Sequence, residues 1–276
     1  AALAQRGVTS VTLNWRGTLF DGASHLSSWD AQEVGSYEGH VGPMAIDAGR
    51  TFEGANDFYA DAPGHVAQVF ASALTSAGVS VSLGEAGEPP AGASPLASVS
   101  SAPMGEQLRW MLAHSDNTLA DQYCRFAARA AGAPTTYEGA TSTIVSTLTS
   151  AGIPTDGLFL EDCSGLSSND KISANTLVGV LEASYAGQGT GADTMRLLPW
   201  AGLVGTLSQR MNEAPAGGNV QAKTGSLQEV TSLSGSVITQ GGRLLLVSIG
   251  HDQVTDGAYA TRGRLDTFEE GLAGLN

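Results

Sequence analysis

Over residues 62–78 the apolar positions recur at helical spacing, with Val66, Val69, Phe70, Ala73 and Leu74 on one face. Pro63 suits a first helical turn and Gly78 closes the run, so the pattern predicts a helix followed by the short strand VSVSL. Earlier, VTSVTLNW at 8–15 alternates and is β-branched, which predicts another strand. Residues 85–102 lose any period and are rich in Gly, Pro, Ser and Ala, as in a linker or surface loop. The helical period returns after 103. It predicts helices over 104–114, with Leu108, Met111 and Leu112 on one face, and over 118–132, 139–152 and 173–187, the last with Ser173 as N-cap. The period then changes. Residues 219–226, 230–239 and 243–250 read as three strands, the last two joined by a turn at 241–243, and 261–274 reads as a closing helix. No internal repeat recurs at a fixed period. Helices followed by an antiparallel meander predict an α+β organisation.

Composition narrows the function classes. With 276 residues and 42% hydrophobic content the chain can bury a sizeable core, and its 36 glycines point to many turns and close Ala/Gly packing. A formal net charge of -14 with only 13 basic residues argues against nucleic acid as a partner and against adsorption to anionic membranes. No run approaches a membrane span, and the N-terminal AALAQRGVTS has no apolar core of a signal peptide; a mature exported chain would read the same way. The two cysteines, Cys124 and Cys163, fit either two unrelated buried thiols or one disulfide. Without a CxxC pair or a His-rich cluster, no metal or other cofactor is expected. The histidines show no ligand spacing, and His114 reads as a helix-end residue.

Three stretches carry candidate chemistry. Ser115-Asp116-Asn117 precedes a helical run; these residue types are good helix caps, and Ser115 is expected to cap the helix that starts near Thr118. They equally suit the polar wall of an active site. Lys223-Thr224-Gly225 opens the first strand of the meander and contains one of only two lysines, the other being Lys171. A Lys there can hold a carboxylate, Thr can hydrogen-bond it, and Gly lets another backbone approach. The third stretch is EDCSGLSSNDKISANTL, a Ser/Asn/Asp-rich loop feeding a capped helix.

Ser-x-x-Lys, Ser-Asp-Asn and Lys-Thr-Gly in that order mark penicillin-interactive serine acyltransferases. The segment 101–132, LEDCSGLSSNDKISANTL, LPWAGLVGTLSQRM and VQAKTGSLQEVTSLSGSVIT together resemble the class C, or type-4, penicillin-binding proteins, a D-alanyl-D-alanine carboxypeptidase/endopeptidase family. Cys163 stands where that family has Gly. The resemblance implies an α+β penicillin-binding/serine β-lactamase-like domain, a helical cluster plus an antiparallel sheet, incomplete at its N-terminus. Residues 101–276 would be its C-terminal part. Residues 1–100 would be the remnant of an inserted β-rich accessory region and the return into the main domain.

The resemblance also implies roles. Ser115 would relay protons to the leaving amine and Asn117 would bind the substrate's peptide carbonyl. Lys223 and Thr224 would orient the substrate carboxylate. Gly225 would keep the strand open to a substrate lying alongside, and the Ser226 N–H would supply half of an oxyanion hole. Peptidoglycan stem peptides and β-lactams are the implied ligands. The nucleophile is unassigned: a Ser three residues before a Lys occurs once, at Ser168 and Lys171, after Ser115 rather than before it, and reads as a solvated loop. The expectation is a nucleophile upstream of Ala1, in an N-terminal segment that would partner this chain, so that the chain alone is not acylated. Two alternatives stand beside it: an inactive homologue that binds D-Ala-terminated peptides or a protein partner, and a serine β-lactamase. A Cys124–Cys163 disulfide and an extracytoplasmic location, in the periplasm or cell-wall space, follow from the same resemblance.

Overall fold

The computed structural model describes residues 2–29, 34–187, 193–255 and 257–276. The chain divides into two units. One comprises Ala1–Ser101, Asn117–Thr143 and Glu161–Ser168; the other comprises Ala102–Asp116, Ile144–Leu160 and Asn169–Asn276.

The first unit begins with a short helix α1 (Ala2–Gln5) and strand β1 (Ser10–Trp15). Helix α2 (Ala62–Ser76) lies on the crossover to β2 (Ser80–Ala86), which pairs parallel with β1 from Ser10↔Ser80 to Leu13↔Leu83. Asp61 caps α2 by accepting from Gly64 N at 3.0 Å. The apolar stripe expected on α2 is only partly used. Its first turn is buried (Ala62, Pro63, Gly64), with Ala67, while Val69 and Phe70 remain 42% and 52% exposed. A sheet of two strands is too narrow to cover the whole helix face. Residues 85–106 are exposed throughout, as the loop composition predicts, although β2 runs on to Ala86.

Helix α3 (Met104–His114) of the second unit is followed by two further helices, α4 (Asn117–Ala130) and α5 (Tyr137–Ser150), the residues of α5 being divided between the two units. In the first unit a disulfide joins Cys124 on α4 to Cys163, with Cα atoms 6.3 Å apart. Beside Cys124 on the chain, Arg125 is buried. Its guanidinium donates to Thr135 O (2.7 Å), Ala23 O (3.0 Å) and Asp21 O (2.5 Å), which ties irregular chain to α4. Three carboxyls are also enclosed: Glu38, Asp121 and Asp162. Asp162 accepts from Trp29 Nε1 (2.8 Å), Gly165 N (2.7 Å) and Ser167 N (2.7 Å), and Asp121 accepts from Cys163 N (2.8 Å). Glu38 Oε1, Glu38 Oε2 and Asp121 Oδ2 lack a donor N–H. That shortage favours the protonated, neutral acids. Burial first, then neighbouring carboxylates, holds Glu38 well above the usual range, and burial with Asp162 pushes Asp121 up to about 7.

The second unit contains helix α3 (Met104–His114), helix α6 (Ala174–Tyr185), a one-turn helix α7 (Thr194–Leu197) absent from the sequence expectation, and helix α8 (Ala258–Ala273). Ser173 does cap α6, its Oγ accepting from Thr176 N at 3.1 Å. The change of period marks the sheet. Strands β3 (Val220–Ser226), β4 (Thr231–Ile238) and β5 (Leu244–His251) form an antiparallel meander in the order β3-β4-β5. Alternation places Val220 and Ala222 of β3 and Leu233 and Val237 of β4 in one core with Leu207 and with Leu265 and Ala273 of α8. Leu207 and Leu233 are fully buried, each worth about 1.5–3 kcal/mol. The opposite face of β5 carries α6.

Candidate functional site

Ser115 does not cap α4. It is the last residue of α3's cap, in the left-handed conformation (φ 54°, ψ 50°), with its N–H returned to Met111 O. That position usually takes Gly or Asn, and a serine there costs about 1 kcal/mol or more. The sequence around it has no glycine to make the turn, so the strain falls on Ser115. The conformation presents its Oγ to Lys223, whose Nζ donates to it at 2.7 Å. Nζ also donates to Thr224 O at 2.5 Å. Burial alone lowers the Lys223 ammonium to about 8.

Lys223 reaches Ser115 because β3 is an edge strand that pairs on one side with β4, Lys223 standing opposite Ser234. Thr224 and Ser226 point to the other face of β3. Thr224 Oγ1 donates to Thr206 Oγ1 at 3.0 Å, and Ser226 Oγ accepts from Arg262 Nη2 of α8 at 3.0 Å. Thr206 sits in a tight turn, Gly205–Leu207, that abuts the end of α3. Gly205 has φ +60°, and a Cβ there would stand 2.1 Å from Ala113 O, so only glycine lets the turn close on the helix that carries Ser115. At Gly225 an added Cβ would meet Ser232 Oγ at 2.3 Å, across the strand pair.

Within one unit, then, the fold brings together Ser115, Lys223, Thr224, Gly225 and Ser226. Asn117 belongs to the other unit, where it opens α4 and donates from Nδ2 to Tyr37 O at 3.2 Å. His114 keeps the helix-end role: its ring stacks on Trp110 at 3.7 Å and its Nδ1 meets Trp110 O at 2.9 Å. Ser168 and Lys171 are both exposed, and the Lys171 backbone pairs with Phe159 rather than opening a buried helix. Two residues at the site escaped the sequence reading. Thr206 lies inside the GTL stretch, where a Gly-Thr beside an apolar residue was its available signal. Arg262 sits on a helix with no motif to flag it.

Residues 56–270 match the family model for the D-Ala-D-Ala carboxypeptidase 3 (S13) family. The chain is 34% identical over 255 residues to "Carboxypeptidase DacB" of Mycolicibacterium smegmatis, covering 88% of this chain and 54% of that one. It is also 34% identical over 195 residues to the "D-alanyl-D-alanine carboxypeptidase" of an Actinomadura strain, covering 66% of this chain and 36% of the relative. In the first of these the chain spans about half of the relative's length. Among solved structures, penicillin binding protein 4 of Haemophilus influenzae, complexed with a β-lactam, superposes with a TM-score of 0.66 at 27% identity, over 79% of this chain and 51% of that one. A second structure of that protein reaches a TM-score of 0.77 at 20% identity, over 99% of this chain and 76% of that one.

Proposed function

Because the chain belongs to the D-Ala-D-Ala carboxypeptidase 3 (S13) family, we propose that it carries the carboxylate-binding and proton-relay half of a serine-type D-Ala-D-Ala carboxypeptidase/endopeptidase site acting on peptidoglycan stem peptides. The observation that carries this reading is the Lys223 Nζ to Ser115 Oγ contact of 2.7 Å at the edge of β3. An ammonium held there attracts the terminal carboxylate of a D-Ala-D-Ala peptide and polarises the serine hydroxyl beside it. Thr224 and Ser226 add hydroxyls that orient the carboxylate, and the Ser226 N–H faces a developing oxyanion. Ser115 then passes a proton to the amine of the departing D-Ala as the peptide C–N bond breaks, leaving an acyl-enzyme for water to hydrolyse.

The attacking serine is a separate matter. The one Ser-x-x-Lys here, Ser168 to Lys171, is exposed and in loop, which is the wrong setting for an activated nucleophile. No acylating serine is thus assigned within this chain, and the chain alone is expected not to be acylated. Among the described residues no helix is long and apolar enough to cross a membrane. The Cys124–Cys163 disulfide supports an extracytoplasmic location, where peptidoglycan lies.

The test uses the longest natural form of the protein and an N-acyl-L-Lys-D-Ala-D-Ala peptide. Wild type is expected to release D-Ala and to take a covalent label from a fluorescent penicillin; Lys223→Ala should cut release at least 100-fold. The second reading, an inactive homologue that binds such peptides, is favoured by the exposed setting of Ser168 and Lys171. Neither release nor labelling by wild type would select it, and a label on Ser168 of this chain alone would sink the assignment of the nucleophile.

A further inference from the structure

Neighbouring residues on a strand point to opposite faces, so Lys223 and Thr224 leave β3 on opposite sides. Both are met by the same neighbourhood of chain. Lys223 Nζ donates to Ser115 Oγ at 2.7 Å, at the end of α3. Thr224 Oγ1 donates to Thr206 Oγ1 at 3.0 Å, in the turn Gly205–Leu207. Turn and helix end touch, because the Gly205 backbone lies so close to Ala113 O that no Cβ would fit between them. The contacts close a ring: Ser115 to Lys223, along the strand to Thr224, across to Thr206, and back through Gly205 to Ala113. The end of β3 is clasped from both faces.

The turn is the anchored half of this clasp. Gly202 N donates to Leu207 O (2.9 Å) and Arg210 O (3.0 Å), Leu207 is fully buried in one core with Val220 and Ala222 of β3, and Arg210 pairs with Asp266 of α8 at 2.6 Å. The strand is held less evenly. β4 pairs it on one edge as far as Ser226. On the other edge Ala201 N donates to Val220 O (2.9 Å) and Ala222 N to Pro199 O (3.0 Å). Among the described residues the backbone bonds on that edge end at Ala222, just before Lys223 and Thr224. There the Thr206 hydroxyl takes over from the backbone. Threonine is β-branched and stiff at χ1, so the anchored turn offers its Oγ1 in a defined direction.

We propose that Thr206 is a positioning residue: it holds Thr224 on one face of β3 and so keeps Lys223, on the other face, at hydrogen-bond distance from Ser115. The inference rests on the reading of Ser115 and Lys223 as the working pair of this site. The pair stands at 2.7 Å, and a hydrogen bond is gone by about 3.6 Å, so a tilt of the strand end by about 1 Å separates it. A single bond between exposed hydroxyls adds little to folding, which places the effect of Thr206 on the geometry of the pair rather than on stability. Valine at 206 keeps the shape and removes the hydroxyl; serine keeps the hydroxyl and removes the methyl.

The chain has two lysines, Lys223 and the exposed Lys171, so isotopically labelled lysine gives two side-chain NMR signals, one of them an internal control. The experiment titrates both with pH in wild type, Thr206→Val and Thr206→Ser. In wild type the Lys223 signal is expected to lose its proton at about pH 8, where burial holds it. In Thr206→Val its midpoint should rise by about half a pH unit or more, about threefold in the acid constant, as the ammonium leaves Ser115 for water. The Ser115 amide signal should move with it. Thr206→Ser should keep the wild-type midpoint, and Lys171 should titrate alike in all three. An unmoved Lys223 midpoint in Thr206→Val overturns the proposal, even if the urea midpoint of that variant falls, because the residue is then only structural. A shift as large in Thr206→Ser overturns it too, since the hydroxyl is then not the link. Adding N-acetyl-D-Ala-D-Ala to wild type tests the site reading separately. A shifted midpoint in Thr206→Val without any ligand response leaves the positioning role standing and the site reading fallen; a ligand response with an unmoved midpoint does the reverse.

Discussion

In the first unit Glu38, Asp121 and Asp162 are 0%, 1% and 0% exposed, whereas in the second Lys223 is only half-buried and ends against Ser115 Oγ, near the exposed Ser226. Burial shifts both toward their neutral forms, upward for Glu38 and Asp121 and downward for Lys223. What differs is the partner. Asp162 and Asp121 are held by backbone N–H groups and the Trp29 indole, donors that fix a loop next to a disulfide. Lys223 is held by a serine hydroxyl and one carbonyl at a sheet edge, partners that can exchange protons or admit a ligand. The two stretches look equally polar in the sequence. A perturbed pKa therefore marks architecture when it arises among enclosed carboxyls out of reach of solvent, and marks chemistry when a side-chain hydroxyl meets the group at an open edge.

That contrast is sharpest under mutation. Replacing Cys124 and Cys163 together by Ser should cost the first unit about 4 kcal/mol, from the 39-residue separation they close, read as a lower urea midpoint. Asp162→Ala should cost about 3 kcal/mol in the same assay, because three donors, two of them buried, lose their acceptor. The pH dependence comes next. Glu38 and Asp121 hold protons to higher pH folded than unfolded, so their contribution is complete at low pH and is lost as pH rises, for Asp121 up to about 7. Stability of the first unit should fall by about 1.4 kcal/mol per pH unit per proton in that window, and Glu38→Gln should flatten the slope. A slope unchanged by Glu38→Gln would deny that Glu38 holds its proton above the usual range. At the small end, Ser115→Gly should change stability by less than about 0.5 kcal/mol, since relief of the left-handed strain offsets the lost hydroxyl contact. The same variant should abolish the relay, so a large loss of stability would make Ser115 a structural residue after all.

How much of this was legible in the sequence follows from range. The meander, the Ser173 cap and α3 were readable because period and capping are local. Ser115 was given the wrong local role: Ser-Asp-Asn before a helical run reads as a cap of that run, whereas Ser115 closes the helix before it in a left-handed turn, against which the Gly205 backbone packs from ninety residues away. The pairing of Lys223 with Ser115 was available as a resemblance between motifs, never as spacing. Glu38 and Asp121 carried no signal, since a lone acid in polar chain gives no hint that it will be enclosed. Arg262 was invisible for a similar reason: its meaning comes from the register that puts Ser226 under α8.

The central claim is that Lys223 and its neighbours on β3 bind a terminal carboxylate. An NMR titration of the isotopically labelled chain with N-acetyl-D-Ala-D-Ala tests it most directly. The account predicts that the amide signals of Ser115, Thr224, Gly225 and Ser226 shift together, that affinity falls as pH rises through about 8 where the Lys223 ammonium loses its proton, and that Lys223→Ala removes the response. Shifts confined to other residues, or a response that Lys223→Ala leaves intact, would contradict it.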